Sequence, residues 1–567
     1  MTQELDDILQ NVEEFIHGPE TPARNASFFR TAVTESSARA VEDLNLCSRA
    51  PSPHELPRWF SSFPYSRLSC PLNSWYTSHF DIGVSLLLTR SQSLNATAET
   101  DWCNINAVGH MCLDGLTKYR DGLLLLCRHA QQVFASQPTR LYLHALYIRR
   151  SLVELWTFDR SGIYCGDGFN WQDHFSRFSA LVLSFCFMTE KDLGISDILK
   201  VDAVGRYITI NISLQSSVQN LYLEDQPIAS SQDIVGEGTT CYRAKRTESK
   251  QWDYVVKFKW RPTSKRPEEE FLWLAKQNSV WGVVSIDYDR SIDQTASLRQ
   301  GRQIGTYRKL RSSQNVTEGS VPGGIINQTE ETTKPFENRF FTCIVTSPAG
   351  RPLETFKNRL ELLEVLRDAV KAHRSLLQDA KILHQDVAAS NIIIAEPQQE
   401  GDPKGLLIDL DVAMNLMVGP RTPNEVVGTR AFMSIGILKC RPHRYRHDLE
   451  SFLYVFLRIV ISNRKELPPP TSRLREWNQG SWEDSAKLKS HDMDKNHFAS
   501  IILAEFPPEF YSLRPLAEEF RRILFPIHED GNIWTGTNSS LTETNKLYDG
   551  ITAAFENAIS YEKEALA

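Results

Sequence analysis

The sequence predicts an α+β protein, in which a strand-rich part precedes a helical part and a mixed helical and α/β region precedes both. Three observations support this fold class. Segments with strand character follow one another from Arg206 onward, in RYITINISL, NLYLED and WDYVVKFKW. Further on, apolar residues from Leu362 to Leu377 recur at the spacing of one long helix, which is predicted to end near Ile382. Upstream, RLYLHALYI and SLVELWTFD are two successive strand-like runs.

Composition excludes several classes of protein. Of the 567 residues, 41% are hydrophobic and 23% charged, so large cores can form and a mostly disordered chain is excluded. The 63 Lys and Arg against 70 Asp and Glu give a net charge of −7, which argues against a nucleic-acid-binding protein. No apolar run is long enough to predict a membrane span, and the acidic first residues lack a signal-peptide pattern. The ten cysteines form no CxxC pair, which favours reduced thiols and a cytoplasmic or nuclear location.

Sequence patterns divide the chain into successive regions. Apolar residues at helical spacing predict a short helix over 5–16, FDIGVSLLL predicts a strand over 80–88, and 115–136 is predicted to be helical. Residues 291–338 are rich in Ser, Thr, Gln, Asn and Gly, which predicts a flexible insertion. The predicted regions are an N-terminal helix and linker (1–50), an α/β region (51–200), a strand-rich lobe (201–345) and a helical lobe with a C-terminal tail (346–567).

The residues most indicative of chemistry follow the long helix. In ILHQDVAASNIIIAEP, Asp386 and Asn391 stand in an H-x-D-x4-N pattern, and GLLIDLD places Asp409 at the end of an apolar strand. Phosphoryl transfer requires a carboxylate near the acceptor hydroxyl and oxygen ligands for magnesium on the phosphates. Asp386 fits the first role, and Asn391 and Asp409 fit the second. We interpret His384 as a structural brace of the loop, since a histidine there is more often a hydrogen-bonded core residue than a catalyst.

Upstream residues supply the groups that a phosphate ligand needs. Gly236 and Gly238 lie between two strand-like runs, where a glycine turn can bring backbone N–H groups against phosphates. The usual third glycine position holds Cys241. Lys257 lies inside an apolar strand, and Glu268 in the acidic start of the next helix is its predicted partner. A solvated acidic first helical turn explains that cluster equally well.

Together these residues resemble those of protein kinases, and more closely the fungal-type protein kinases. The resemblance rests on LHQDVAASNIII, GLLIDLDVA, GTRAFMS, RHDLESFLYVF and YVVKFKW, and it extends upstream to QPTRLYLHALYI and ELWTFDRSGIY. It implies a bilobal protein-kinase-like fold with an additional N-terminal region, ATP and magnesium as cofactors, and transfer to Ser or Thr hydroxyls of an unidentified protein substrate. It implies neither a nucleic-acid nor a membrane partner, and it leaves the oligomeric state open.

The resemblance also implies a role for each candidate residue. Asp448 is expected to accept hydrogen bonds from the catalytic-loop backbone, to be a simple helix N-cap, or to do both. Gly428, Thr429 and Phe432 resemble the segment that receives a peptide substrate. Of the groups that would contact the nucleotide, Gly236 and Gly238 cover the phosphates, Lys257 with its partner Glu268 binds the α- and β-phosphates, and Val345 and Ser347 lie near the adenine. Asp386 orients the acceptor hydroxyl. Asn391 and Asp409 bind magnesium.

Several departures from the kinase pattern leave two alternatives open. Gln385 replaces the arginine of H-R-D, Ala388 stands where many kinases have lysine, DLD replaces D-F-G, and Gly436 stands where A-P-E has its glutamate. Such losses favour, as one alternative, a pseudokinase or scaffold. The other is a small-molecule phosphotransferase of the aminoglycoside or choline kinase type, which shares H-x-D-x4-N but generally lacks the G-T-x-x-F-M segment.

Overall fold

The computed structural model describes most of the chain and divides it into two compact units. The first unit comprises residues 1–248, 256–263 and 290–343, and the second comprises 249–255, 264–289 and 344–567. Among the described helices, none is both long and apolar enough to cross a membrane. The described residues are 16–17, 51–52, 55–62, 73–80, 83–90, 101–112, 119–166, 168–212, 217–299, 337–419, 426–465, 467–527, 533–537 and 540–566.

A mixed sheet with helices on both faces forms the N-terminal part of the first unit. Its strand order is β1-β7-β6-β5-β4-β3-β2, with β8 on β6. The strands are β1 (Ile16–His17), β2 (Asn73–Phe80), β3 (Gly83–Arg90), β4 (Ile105–Cys112), β5 (Tyr142–Arg149), β6 (Leu152–Asp159), β7 (Gly162–Cys165) and β8 (Phe169–Asn170). The helices are α1 (Leu56–Ser62), α2 (Tyr119–Ser136) and α3 (Phe175–Phe187).

Alternation of side chains along the strands gives this sheet two separate cores. Leu87 and Tyr147 face one side and pack in the same cluster as Phe134 of α2. Leu86 and Ile148, each one residue away, face the other side and pack with residues of α1 and α3. Both faces are therefore covered, which explains why the strands β3 and β5 are mostly apolar instead of alternating regularly with polar residues.

Strands of the second sheet belong partly to each unit. Its order is β15-β16-β14-β13-β11-β10-β9, with β12 on β13, and β14, β15 and β16 each contribute residues to both units. The strands are β9 (Lys200–Val201), β10 (Arg206–Ile212), β11 (Ser217–Leu223), β12 (Ala229–Ser230), β13 (Thr240–Arg246), β14 (Tyr254–Pro262), β15 (Ser285–Gln294) and β16 (Arg339–Ser347); the helices are α4 (Glu268–Gln277) and α5 (Thr295–Leu298).

The second unit is built around two buried helices, α6 (Arg359–Asp379) and α8 (Tyr445–Ser462). Asn358 starts α6, because its side chain accepts a hydrogen bond from the Glu361 N–H. Short strands β17 (Arg351–Pro352), β18 (Ile382–Leu383), β19 (Ile392–Ile394), β20 (Gly405–Leu407) and β21 (Met414–Asn415) frame the loops beside them. The other helices are α7 (Ile435–Leu438), α9 (Arg473–Glu476), α10 (Trp482–Asp492), α11 (Lys495–His497), α12 (Arg514–Leu524) and α13 (Leu541–Leu566).

The α+β fold class is confirmed, and several predicted boundaries move. The hairpin β5–β6 matches the two predicted strand-like runs. The strand predicted over 80–88 is instead the end of β2 and most of β3. Helix α6 ends at Asp379, three residues before its predicted end. The helix predicted over 5–16 lies outside the described residues except for Ile16, which belongs to β1.

The flexible insertion predicted over 291–338 does not begin at residue 291. Residues 291–299 complete β15 and form α5 instead of beginning an unstructured segment. Arg299, directly after α5, is buried and forms an ion pair with Asp159 at 2.6 Å. The first part of the polar stretch is therefore regular structure that ends in a buried ion pair, and residues 300–336 lie outside the described residues.

Candidate active site

The loop from His384 to Asn391 is anchored through its backbone and its first histidine. His384 is fully buried, and its Nε2 hydrogen-bonds the Ile408 carbonyl at 3.1 Å, while its Nδ1 accepts the Asp386 N–H at 3.3 Å. Burial lowers the pKa of His384, so the neutral imidazole is favoured. These contacts fit the brace role, because they tie the loop to the strand that leads to Asp409.

Asp386 is held by side chains on both sides. Its Oδ1 accepts hydrogen bonds from the Thr429 N–H at 2.7 Å and the Thr429 hydroxyl at 2.8 Å. Its Oδ2 accepts a longer one, at 3.2 Å, from the Asn391 amide, which also donates to the Asp386 carbonyl at 2.9 Å. The structure therefore brings together Asp386, Asn391 and Thr429, and these hydrogen bonds orient the Asp386 carboxylate.

A second group of carboxylates forms around Asp409. Carboxylate oxygens of Glu268, Asp409 and Asp411 all lie within 4.8 Å of one another. One oxygen of Glu268 also accepts the Leu410 N–H at 3.3 Å, which ties the start of α4 to this loop. Oxygen ligands of this kind suit a hard cation such as magnesium. The sequence analysis did not name Asp411 as a site residue, although the second acidic residue of DLD could have indicated it.

Two residues in this region adopt unusual backbone conformations. Gln385 has φ +67° and Asp409 has φ +65°, in the left-handed region that residues other than glycine rarely adopt. Such conformations persist only where the surrounding contacts impose them, and they concentrate at functional sites. Both lie beside candidate residues, which supports the choice of this loop as the site.

Asp448 of α8 joins the loop to the helical core. Its Oδ2 accepts the Gln385 N–H at 3.1 Å and His373 Nε2 at 2.9 Å, and its Oδ1 accepts His443 Nε2 at 2.6 Å. Burial alone would raise the pKa of Asp448, but the two histidines hold it well below its usual range. The predicted contact with the backbone of the loop that carries Asp386 is thus confirmed. The N-cap interpretation is wrong, since α8 begins at Tyr445 and its cap is Arg444.

The C-terminal helix α13 extends this network. Tyr548 is fully buried, and its hydroxyl lies 2.6 Å from His373 Nδ1. His373 therefore bridges Tyr548 and Asp448, and through Asp448 helix α13 is linked to the backbone of the loop that carries Asp386. No local pattern in the sequence indicated this role for Tyr548, because 175 residues separate it from His373.

Replacement of Tyr548 by phenylalanine is expected to lower the free energy of unfolding of the second unit by about 1–2 kcal/mol. The ring stays in place, but a buried ring nitrogen of His373 loses its partner. Denaturant titration of the full chain checks this result. Tyr561→Phe is the matched control, because Tyr561 lies on the same helix and is 61% exposed. Equal stability of the two variants would contradict the bridging role.

In the first unit, the predicted glycine turn packs against Arg160. The Gly236 N–H donates to the Arg160 carbonyl at 3.0 Å, and the guanidinium of Arg160 donates to the Asp233 and Ile234 carbonyls. Gly238 has φ +52°, and a Cβ there would lie 2.7 Å from Arg160 Nε. Glycine at 238 therefore leaves room for the Arg160 guanidinium, and the Gly236 N–H already has a carbonyl partner.

The remaining predicted residues keep their roles as predictions. Lys257 is a half-buried residue of β14 in the first unit, whereas Glu268 is a buried residue of α4 in the second. Val345 is buried near the end of β16. Ser347, at the end of the same strand, donates its hydroxyl hydrogen bond to Asp287 at 2.6 Å.

Comparison with known families decides what kind of protein carries this site. A family model described as fungal protein kinase matches residues 79–460, which is more than half of the chain. The chain belongs to the fungal protein kinase family. The resemblance inferred from the sequence is thereby confirmed, and membership indicates a kinase-type function.

The family model covers some elements of this chain and leaves others outside it. In this fungal protein kinase, the matched residues run from β2 to α8 and include all the predicted site residues. Helices α9 to α13, and with them Tyr548, lie beyond the match. No curated protein matches the chain.

Proposed function

We propose that this chain is an ATP-dependent protein kinase that transfers the γ-phosphoryl group to Ser or Thr hydroxyls of protein substrates. The observation that carries the proposal is the Asp386 carboxylate, held by Thr429 and Asn391 on a loop tied to the Asp409 strand. A carboxylate so placed can orient an acceptor hydroxyl and take its proton late in the transfer. Family membership supports kinase chemistry in general.

The donor set around Asp409 fits magnesium. Asp409, Asp411 and Glu268 offer carboxylate oxygens, and magnesium prefers oxygen ligands. The Asn391 amide nitrogen is engaged with Asp386, so its Oδ1 is the atom that would serve as a ligand. When bound, magnesium neutralises negative charge on the phosphates.

The remaining predicted residues are proposed to contact the nucleotide. Lys257 is proposed to hold the α- and β-phosphate oxygens, and Val345 and Ser347 are proposed to lie beside the adenine. Gly236 and Gly238 are proposed to cover the phosphates; the Gly236 N–H is engaged with Arg160, so Gly236 would contribute close approach rather than this hydrogen bond. Thr429 beside Asp386 supports a hydroxyl acceptor on a peptide chain over a small alcohol.

Phosphoryl transfer by the purified full chain tests the proposal. The chain is incubated with ATP and magnesium and offered Ser, Thr and Tyr peptides and, separately, choline and aminoglycosides. We expect transfer to Ser and Thr peptides, lowered at least about 100-fold by Asp409→Asn, because a charged ligand of the metal is lost. The matched control is Asp402→Asn, an exposed carboxylate that accepts backbone N–H groups of its own loop.

Other outcomes would favour the alternatives. Transfer to choline or aminoglycosides alone would identify a small-molecule phosphotransferase. Nucleotide binding with equal background turnover by wild type and Asp409→Asn would identify a pseudokinase. Ala388, which is fully buried, carries no charge toward the phosphates and is the departure that most favours this last outcome.

A further inference from the structure

The segment that follows Thr429 lacks the anchor that the kinase pattern leads one to expect. We call residues 429–435 the acceptor segment. Gly436, at the position of the A-P-E glutamate, has no room for a side chain, because a Cβ there would lie 2.4 Å from His447 Nε2. Other groups must therefore hold the acceptor segment in place.

Lys489 of α10 makes two hydrogen bonds to this segment. Its Nζ donates to the Ala431 carbonyl at 3.0 Å and to the Met433 carbonyl at 2.7 Å. The ammonium group also lies 4.3 Å from the centre of the Tyr454 ring and 5.3 Å from that of Trp477. Carbonyl oxygens and aromatic faces both stabilise a cation.

Glu450 of α8 holds the end of the same segment. Its Oε1 accepts the Ile435 N–H at 2.6 Å and the Tyr454 hydroxyl at 2.8 Å, and its Oε2 accepts Arg446 Nη1 at 3.1 Å. Both Glu450 and Lys489 are fully buried. The acceptor segment is thus fixed at its carbonyls by Lys489 and at an N–H group by Glu450.

A buried lysine is costly, so its retention calls for a specific benefit. Burial lowers the pKa of Lys489 to about 7, although the charge of Glu450 opposes that shift. A methionine would fill the same space without this cost, which makes a purely packing role a poor explanation. What lysine adds over methionine is the pair of hydrogen bonds to the acceptor segment.

We propose that Lys489 is a positioning residue for the protein substrate, replacing the missing A-P-E glutamate as the anchor of the acceptor segment. It acts through the backbone at Ala431 and Met433, and so keeps Thr429 against Asp386. This inference rests on the proposed protein kinase function, since it assigns the segment to peptide binding. Lys489 lies beyond residues 79–460, so the anchor is outside the part of the chain that the family model describes.

Lys489→Met, measured in the full chain, tests this role. We expect amide hydrogen exchange in residues 430–435 to accelerate about tenfold, which corresponds to about one net hydrogen bond lost. We also expect KM for a Ser or Thr peptide to rise about tenfold and KM for ATP to change less than about twofold. The control is Lys487→Met, two residues earlier on α10, where the lysine is exposed and pairs with Glu483.

The outcomes separate this inference from the proposed function. Unchanged exchange in folded Lys489→Met overturns the inference alone, as does an equal rise of KM for peptide and for ATP. Absence of peptide phosphorylation by the wild type overturns the proposed function, whatever the exchange result. If Lys489→Met does not fold, the same measurements are made on Lys489→Leu, which also lacks an N–H donor: wild-type exchange and wild-type peptide KM in that variant overturn the inference.

Discussion

Replacing Asp386 by asparagine is expected to lower kcat for peptide phosphorylation by about 10²–10⁴-fold. The amide keeps an oxygen that can accept the hydrogen bonds of Thr429, so the loop geometry is retained. It cannot accept the acceptor proton as a carboxylate does. Initial rates at saturating ATP and peptide measure the effect, and ATP binding measured separately should match that of the wild type.

The control for this variant is a carboxylate of the same unit that has no place in the site. Asp549 is exposed and pairs with Arg374, so Asp549→Asn should leave kcat unchanged. Thermal unfolding of both variants establishes that they are folded. If Asp386→Asn kept the wild-type kcat, the Asp386 carboxylate would have no part in the reaction. The main observation that supports kinase activity would then be lost.

The second large effect is expected at the buried ion pair between Asp159 and Arg299. Both side chains are 1% exposed, and the carboxylate accepts two hydrogen bonds from the guanidinium, each 2.6 Å long. Asp159→Ala leaves the Arg299 charge buried without its carboxylate, so the first unit should lose about 3–5 kcal/mol of stability. Hydrogen exchange of β6 and β7 in denaturant follows this unit separately from the second.

Two comparison variants make this prediction specific. Glu190→Gln removes the exposed partner of Arg90 in the same unit and should cost less than about 1 kcal/mol. The double variant Asp159→Leu with Arg299→Met removes both charges and should recover most of the loss. A loss of similar size in Asp159→Ala and in Glu190→Gln would show that burial of the pair contributes nothing.

The loop that carries Asp386 and Asn391 could be predicted from sequence because its determinants are local. Asp386 and Asn391 lie five residues apart on one loop, and apolar runs on both sides define the strands that hold it. Asp409 follows the next apolar strand for the same reason. Short-range patterns of this kind survive in a single sequence, so the order of these elements was accessible, whereas the chemistry assigned to their residues stays a prediction.

The supporting contacts could not be predicted, because they join distant parts of the chain. Lys489 and Met433 are 56 residues apart, and Arg299 and Asp159 are 140 residues apart. Nothing in the local sequence distinguishes Lys489 from an exposed helical lysine such as Lys487. For the glycine turn, the predicted role of Gly236 and Gly238 in covering phosphates stays a prediction, whereas the packing of Gly238 against Arg160 is revealed only by the folded chain.

The packing of the glycine turn on Arg160 has a consequence for how this chain can be shortened or recombined. Ile234 belongs to the same apolar cluster as Phe134 of α2, and the Gly236 N–H depends on a carbonyl at the end of β6. A fragment that starts at the second sheet would leave the turn with an exposed isoleucine and an unmatched amide. The N-terminal α/β sheet and the glycine turn therefore have to be kept together in any truncated or recombined form of this chain.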